Sequence, residues 1–324
     1  MRLQRVLLAA LAACALGGMV GSALAQSYPD KAIQMVVSFP PGSGSDGVAR
    51  IVAAKLGAEL GQPVVVLNKP GASGIIGSEY VAKARPDGYT LFLGSASSLT
   101  FNTATFAKLP YDPVNDFVPI GMIGKQPFVI AVSPGLPVKS LAEFVALAKS
   151  KPGALTYGNT GSSAELAVEL FCSVTGIRLL AVPYKGGAVA AGTALMVGEI
   201  DMVMDPSVTI YPQVDGKKPR LLAVTSAKRS SFAPDLPTVA ESGYPNLDVS
   251  TWWALLAPAD TPPAVIDVLH RKLLAVLSAD EVKRQLAFRT VEVESSSPAQ
   301  LRELIVSEGA RWRDTARAAG IKPQ

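Results

Sequence analysis

The stretch Ile33-Gln34-Met35-Val36-Val37-Ser38-Phe39-Pro40-Pro41-Gly42-Ser43-Gly44-Ser45-Asp46 joins an apolar strand pattern directly to a glycine- and serine-rich turn. A helical pattern follows at once, with apolar side chains at positions 48, 51, 52, 56 and 60 and Gly61 placed to end the helix. The first N–H groups of a helix have no partner inside it, and the helix dipole is positive there. The stretch therefore predicts a strand, a turn and a helix start that can hold a small anion.

The same design recurs along the chain. Strand-like and helix-like stretches alternate from start to finish, which predicts an α/β protein with mainly parallel sheets. Small polar turns follow the expected strand ends at residues 68–74, 95–98, 158–163, 183–187 and 205–207. Ser162 and Glu165 also have the spacing of a capping box, which predicts a side-chain cap at the start of the helix after the third of these turns. Helix capping alone explains any one of these turns, but ligands bind at the carboxyl edge of the strands in open α/β sheets. So many turns at strand ends predict a shared binding site.

Residues 1–25 have the pattern of a secretory signal peptide. Two arginines precede an apolar run from residue 6 to residue 20, and Ala23-Leu24-Ala25 is a typical cleavage site. Cleavage after Ala25 predicts a periplasmic protein. A membrane anchor is disfavoured because the run is shorter than the ~20 residues that a span requires. Cleavage before Cys14 is the remaining alternative, and it would give a lipid-anchored form.

The composition argues against several classes of function. Without residues 1–25 the formal net charge falls from +4 to +2, too little for nucleic-acid binding, which needs a clustered basic face. Cys172 is then the only cysteine, so no intramolecular disulfide can form, and the one histidine, His270, lies in a helical pattern far from any turn. Zinc-type ligand clusters are missing, although a pair among the 26 acidic residues could still converge. We therefore expect a protein that is not an enzyme and uses no metal or cofactor.

A dinucleotide site is the sharpest enzymatic alternative. The run Gly42-Ser43-Gly44-Ser45-Asp46-Gly47 matches G-x-G-x-x-G between a strand and a helix, as in a secreted dinucleotide-binding oxidoreductase. However, Pro40-Pro41 separates the strand from the turn, where the fingerprint needs a tight connection. Asp46 would place a negative charge near the pyrophosphate, and the second strand ends at Asn68 instead of an acid that would bind a ribose hydroxyl.

The length predicts two lobes, because roughly 300 mature residues exceed the size at which one core keeps growing. Two long extended stretches, at residues 117–132 and 249–257, are the expected crossings between them, near 122–125 and 250–253. On this basis, domain 1 comprises residues 26–122 plus 253–324, and domain 2 comprises residues 123–252.

Several segments of the mature chain resemble those of one family, the Bug or TctC-like extracytoplasmic solute receptors of tripartite tricarboxylate transporters. These segments are Phe39–Asp46 with Ala49-Arg50, Asn68–Gly74 with Gly77, Ala84–Leu91, Tyr111–Ile120, Val182–Gly186, Leu222–Ser230 and Pro234–Thr238. The resemblance implies a two-lobed, type II periplasmic-binding-protein (Venus-flytrap) fold with two crossover strands. It also implies a monomer that closes on a small carboxylate, such as a di- or tricarboxylate or an acidic amino acid, and delivers it to membrane permease subunits.

The turns and the resemblance together give a set of expected ligand-binding residues. These are Phe39, Pro41, Gly42, Ser43, Ser45, Asp46, Ala72, Ser73 and Gly74 in the first lobe, and Asn159, Thr160, Ser162, Ser163, Lys185, Gly186 and Asp205 in the second. Hydroxyls and backbone N–H groups are expected to hold the carboxylate oxygens. Asp205 either selects an amino or hydroxyl group of the ligand, rejects a second carboxylate, or only caps the turn at Pro206. The identity of the carboxylate stays open.

Overall fold

The computed structural model describes residues 28–184, 187–206 and 219–323. The predicted signal peptide, at residues 1–25, and two of the expected site residues, Lys185 and Gly186, lie outside these ranges. Within them, no helix combines the length and the apolar composition that crossing a membrane requires.

The described residues form ten strands and nine α-helices in an alternating order. The strands are β1 (Ile33–Val37), β2 (Val64–Asn68), β3 (Thr90–Ser95), β4 (Phe117–Val132), β5 (Thr156–Asn159), β6 (Leu180–Pro183), β7 (Met202–Pro206), β8 (Arg220–Val224), β9 (Ser250–Pro258) and β10 (Glu292–Val293). The helices are α1 (Gly44–Leu60), α2 (Ile75–Ala82), α3 (Asn102–Thr105), α4 (Leu141–Ser150), α5 (Ser162–Thr175), α6 (Gly187–Val197), α7 (Pro263–Ser278), α8 (Asp280–Phe288) and α9 (Pro298–Ala319). A 3₁₀ turn at Ala72–Gly74 precedes α2, and a π-helical turn at Ser97–Phe101 precedes α3.

The strand β4 belongs to both sheets, and its direction orients one sheet against the other. In the first sheet, β1, β2 and β3 are parallel, and antiparallel pairing of β9 with both β3 and β4 makes β4 run the same way as β3. In the second sheet, β7 is antiparallel to β4 but parallel to β5, which is parallel to β6. The carboxyl ends of β1–β3 and of β5–β7 therefore point toward each other. The two sheets and their helices form the two lobes of an α/β fold.

The register along β4 gives the separation of these two carboxyl edges. Ser95, at the end of β3, pairs with Trp253, which pairs in turn with Gly124 of β4. Pro206, at the end of β7, pairs with Phe128 of β4. Four steps along an extended strand measure about 13 Å. The two edges thus flank a stretch of β4 whose length suits a small molecule.

The two long extended stretches predicted from the sequence are β4 and β9. Pairing between them continues from Phe117 to Pro127, and β4 joins β7 from Phe128 onward. The pairing shifts register twice, between Pro119 and Gly121 and between Met122 and Gly124. The lobe boundaries at residues 122 and 253 stay a prediction.

The C-terminal helix α9 joins the core beneath the shared strand. It packs against α3, α5 and β4. Trp312 is 1% exposed, and its ring lies 4.7 Å from that of Phe101, centroid to centroid. The indole N–H of Trp252 in β9 donates to Glu308 Oε2 at 2.7 Å. The helix therefore holds elements of both sheets in one apolar core.

We expect Gly77→Ala to destabilise the protein. A Cβ at Gly77 would lie 2.6 Å from Ser38 Oγ, 2.8 Å from Ser38 Cα and 2.9 Å from the carbonyl oxygen of Lys69. Because two of these neighbours are backbone atoms, the free energy of unfolding should fall by about 1–3 kcal/mol despite the better helix propensity of alanine.

Gly309→Ala in α9 is the matched control for this substitution. The nearest neighbour of its Cβ would be the mobile end of the Arg313 side chain at 3.3 Å. In chemical denaturation, the free energy of unfolding of the control should equal that of wild type or be slightly higher. Equal stability of the two variants would contradict the close approach of α2 to the end of β1.

Candidate ligand-binding site

The turn after β1 is built around the first residues of α1. Ser43 is the N-cap, with extended φ and ψ angles, and its hydroxyl accepts a hydrogen bond from the N–H of Asp46 at 3.2 Å. Gly42 has φ = 83°, a conformation that glycine adopts without steric cost. Both Gly42 and Ser43 keep some exposure to solvent. This turn therefore presents its backbone to the gap at the carboxyl edge of the first sheet.

The buried carboxylate of Asp46 holds this turn through hydrogen bonds. Its Oδ2 accepts from the N–H of Gly42 at 2.9 Å and from Arg50 Nε at 2.9 Å, and its Oδ1 accepts from Asn68 Nδ2 at 3.0 Å. The hydrogen bond from Arg50 is the main reason that the pKa of Asp46 falls to about 2. The same Asn68 amide donates to the carbonyl of Phe39 at 3.0 Å. Asp46 thus links the turns after β1 and β2 and stays ionised at neutral pH.

Trp253 of β9 supports the same turn. The indole N–H of Trp253 donates to Ser45 Oγ at 2.8 Å, and both residues are buried. A Cβ at Gly44 would lie 3.7 Å from the Trp253 ring. The start of α1 is therefore fixed to β9, next to the point where Trp253 pairs with Gly124 of β4.

The turn after β2 has an unusual left-handed backbone. Gly71, Ala72, Ser73 and Gly74 have φ angles of 133°, 47°, 53° and 90°. Positive φ is rare for residues with a side chain, and it costs energy at Ala72 and Ser73. Such turns direct consecutive N–H groups to one side, which suits an anion. Ala72 and Ser73 are exposed, so this backbone faces solvent at the same edge as Ser43.

In the second sheet, the helix α5 begins without a side-chain cap. The sequence spacing predicted a capping box between Ser162 and Glu165, and this prediction was wrong. Gly161, with φ = 140°, is the N-cap, so Ser162 already lies in the helix and no side chain at the N-cap accepts from the first turn. The N–H of Gly161 donates to Asn159 Oδ1 at 3.0 Å. The helix start therefore offers N–H groups and a positive dipole at the carboxyl edge of this sheet.

Asp205 lies beside this helix start, near the end of β7. It is 7% exposed, and its Oδ2 accepts from Thr160 Oγ1 at 3.0 Å. Its side chain borders an apolar hollow formed with residues of α6 such as Ala188 and Leu195. Burial raises the pKa of Asp205 to about 7, against a smaller opposing effect of the Thr160 hydrogen bond. Asp205 can therefore change its protonation state near neutral pH.

The described site residues lie at the two facing carboxyl edges and differ in exposure. Pro41, Gly42, Ala72 and Ser73 are exposed; Phe39, Ser43, Asn159, Thr160, Ser162 and Ser163 are half-buried; Ser45, Asp46, Gly74 and Asp205 are buried. The contact of the exposed and half-buried residues with a ligand stays a prediction. Among the buried residues, Ser45 and Asp46 hold the turn after β1, because their side chains have protein partners.

Residues 48–321 match the model of the tripartite tricarboxylate transporter family receptor, TctC. The chain belongs to this family. It is 36% identical over 311 residues to protein BugT of Bordetella pertussis, with 95% of each chain covered. The structure of R. palustris Rpa4515 with adipate is 34% identical and has a TM-score of 0.79. The structure of a periplasmic transporter is also 34% identical and has a TM-score of 0.78. The adipate-bound structure covers 92% of this chain and 100% of its own.

A further TctC-like neighbour is MatC of Rhodopseudomonas palustris with bound malate. It is 29% identical, has a TM-score of 0.75, and covers 89% of this chain and 100% of its own. These neighbours confirm the two-lobed periplasmic-binding-protein fold that the sequence predicted. Family membership likewise confirms the resemblance drawn from the segments at residues 39–46 and 68–74.

The dinucleotide alternative does not fit this TctC-family chain. The first sheet has the local order β2-β1-β3, whereas dinucleotide folds place β2 between β1 and β3. The third glycine of the fingerprint, Gly47, lies against the guanidinium group of Arg289, and a Cβ there would be 2.3 Å from one of its nitrogens. The G-x-G-x-x-G match in this TctC receptor therefore reflects local packing.

Sequence reasoning missed the side chains that support the turns. Asn68, Arg50 and Trp253 do not repeat with a period, so no pattern selected them, although Asn68 stands at the end of a predicted strand. Arg50 pairs with Asp46 four residues earlier in the same helix. Asn68 and Trp253 instead act through contacts with residues 22 and 208 positions away. Such contacts are visible only after the chain has folded.

We expect Asp46→Asn to destabilise this receptor at neutral pH. An amide cannot accept from all three donors that the carboxylate serves, so the free energy of unfolding should fall by on the order of 2 kcal/mol. Asp314→Asn is the control, since Asp314 makes only an exposed pair with Arg317 in α9. Urea titrations of both variants give the comparison.

The difference in the free energy of unfolding between wild type and Asp46→Asn should depend on pH. The folded pKa of Asp46 lies below its ordinary value of 3.8, so its contribution is present above pH ~4 and is lost as the pH falls toward 2. This difference should become smaller over that interval. A difference that does not change with pH would show that the carboxylate charge is not what holds the turn.

Proposed function

We propose that this TctC-family chain is a periplasmic receptor that captures a small carboxylate between its lobes and delivers it to the membrane subunits of a tripartite tricarboxylate transporter. The observation that supports this most is the opposition of two carboxyl edges across about four residues of β4, each lined by helix starts or turns that present N–H groups. The adipate and malate held by the two TctC-like neighbours are small carboxylates of suitable size.

The binding free energy comes from neutral donors. A hydrogen bond to a charged group contributes roughly 1.5–3 kcal/mol, and a helix start adds roughly 0.3–1 kcal/mol. Three or four such contacts suffice for micromolar affinity, which needs roughly 8 kcal/mol net. In the described part of the site, Arg50 is paired with Asp46 and Lys69 lies 4.0 Å from the ring centroid of Tyr80. Within the described residues of the site, the ligand is therefore held by dipoles more than by ion pairs.

Closure of the two lobes explains how the receptor retains its ligand. Only a closed arrangement brings the donors of both edges onto one small anion, so the ligand stabilises that arrangement. We place the hinge of this closure in the paired stretch of β4 and β9, with the lobe boundaries at residues 122 and 253. The receptor releases the carboxylate unaltered, as a monomer without enzymatic activity, and residues 1–25 direct its export with cleavage after Ala25.

Thermal unfolding with candidate ligands tests this function. The protein is freed of endogenous ligand by unfolding and refolding, and then scanned with adipate, malate, citrate and glutamate. A carboxylate at 100 times its Kd should raise Tm by about 5 °C, because it stabilises the folded state by about 2.7 kcal/mol.

Adipamide is the matched ligand control, since it has the carbon chain of adipate without the charge. It should leave Tm unchanged if the carboxylate groups are what the site binds. If NAD raises Tm and none of the carboxylates does, the proposal is overturned in favour of a dinucleotide site. Mass spectrometry of the molecule that co-purifies gives an independent identification.

The raised pKa of Asp205 predicts how its replacement changes stability with pH. Burial favours the protonated form, so the folded protein is penalised as the pH rises from the ordinary value of 3.8 through about 7. Asp205→Asn keeps a neutral side chain of the same shape. Its Tm relative to wild type should therefore rise by at least about 3 °C between pH 5.5 and pH 8.5.

Asp267→Asn serves as the control for this comparison, because Asp267 lies exposed on α7. The difference in Tm between this variant and wild type should stay constant over the same pH interval. If the Asp205→Asn difference is also constant, Asp205 does not titrate in the folded receptor near neutral pH.

A further inference from the structure

The left-handed turn at residues 71–74 has a buried anchor outside the site. Asn102 is 1% exposed, and its Nδ2 donates to the carbonyl oxygen of Ser73 at 3.1 Å. The two residues lie 29 positions apart, on different connections of the first sheet. Only the NH₂ side of the Asn102 amide can face this carbonyl, since two oxygens there would repel each other.

The position of Asn102 is itself fixed by the core. The π-helical turn at Ser97–Phe101 ends directly before it, and Phe101 packs against Trp312 of α9. On the other side, Tyr111 donates through its hydroxyl to the carbonyl of Ser98 at 2.6 Å, and this hydroxyl lies 3.5 Å from Asn102 Nδ2. The anchor is therefore a rigid group reaching an exposed turn.

The turn needs such an anchor because its conformation is costly. Ala72 and Ser73 have φ angles of 47° and 53°, which L-residues with a Cβ disfavour. Within the turn, the N–H of Gly74 donates to Gly71 at 3.0 Å. Since Ala72 and Ser73 are exposed, packing of their side chains contributes little against this cost. The hydrogen bond from Asn102 holds the carbonyl of Ser73 and thus the peptide groups on either side.

We propose that Asn102 is a positioning residue for ligand binding, which keeps the turn at residues 71–74 in the left-handed form whose N–H groups meet the carboxylate. The effect of Asn102 on affinity rests on the proposed function, whereas its effect on the turn is independent of any ligand. Loss of the anchor reduces the fraction of molecules with a binding-competent turn, and the apparent Kd rises by the same factor.

Binding of a dicarboxylate tests the effect on affinity. The probe is adipate or malate, whichever raises the wild-type Tm more, and Kd is measured by calorimetry. Asn102→Ala should raise Kd about tenfold. Thr105→Val is the matched control, because it removes a buried hydroxyl of the same short helix that bonds to Phe101 and not to the turn. Its Kd should stay within twofold of wild type.

A second substitution separates positioning from general damage. Ala72→Gly lowers the cost of positive φ and removes no hydrogen-bonding group. In the Asn102→Ala background it should recover about fivefold in affinity, a larger gain than in the wild-type background, where Asn102 already holds the turn. A Kd of Asn102→Ala within twofold of wild type, or a loss that Ala72→Gly does not recover, overturns the proposal.

Hydrogen exchange of the unliganded protein gives the test that needs no ligand. A peptide covering residues 70–76 should exchange several-fold faster in Asn102→Ala than in Thr105→Val. Equal exchange overturns the role of Asn102, whereas failure of wild type to bind any carboxylate contradicts the proposed function instead. If Asn102→Ala does not fold, Asn102→Ser replaces it, because serine keeps a polar group in the pocket but is too short to reach Ser73.

Discussion

The structure depends on one strand that serves two sheets. Because β4 runs out of the first sheet and into the second, and because β5, β6 and β7 run against it, the carboxyl edges of both sheets are directed to the same short stretch between Gly124 and Phe128. In a parallel sheet the carboxyl edge is where turns leave for helices, so helix starts collect there without any further arrangement. A gap between two lobes that is rich in N–H groups follows from this topology.

The first-lobe turns are held by groups that a ligand does not need to touch. Asp46 and Asn68 join the turns after β1 and β2, Trp253 fixes the start of α1, and Asn102 reaches the turn before α2. This division leaves the exposed backbone free for an anion while buried side chains supply rigidity. A preformed set of donors loses less conformational entropy on binding than a flexible one, which raises affinity without additional contacts.

Much of this arrangement could be predicted from the sequence, and the remainder shows where local patterns stop being informative. The stretches at residues 117–132 and 249–257 were recognised as extended, and they are β4 and β9 within one residue. The start of α5 was misjudged, because serine and glutamate three apart resemble a capping box whether or not the helix begins one residue earlier. Asn102 carried no signal at all, since its partner Ser73 is distant in sequence and contributes only a carbonyl group. The raised pKa of Asp205 likewise arises from burial, which composition does not reveal.

The backbone of the turn at residues 71–74 has a consequence for how this receptor can diverge. Amide groups of the main chain belong to the fold and survive most substitutions, so exchange of Ala72 or Ser73 for glycine would leave the same N–H groups in the same places. Substitutions around such a turn alter the shape and polarity of its surroundings, while the proposed capacity to hold a negative group is retained. Receptors with this fold can therefore change their ligand during evolution without first losing the ability to bind one.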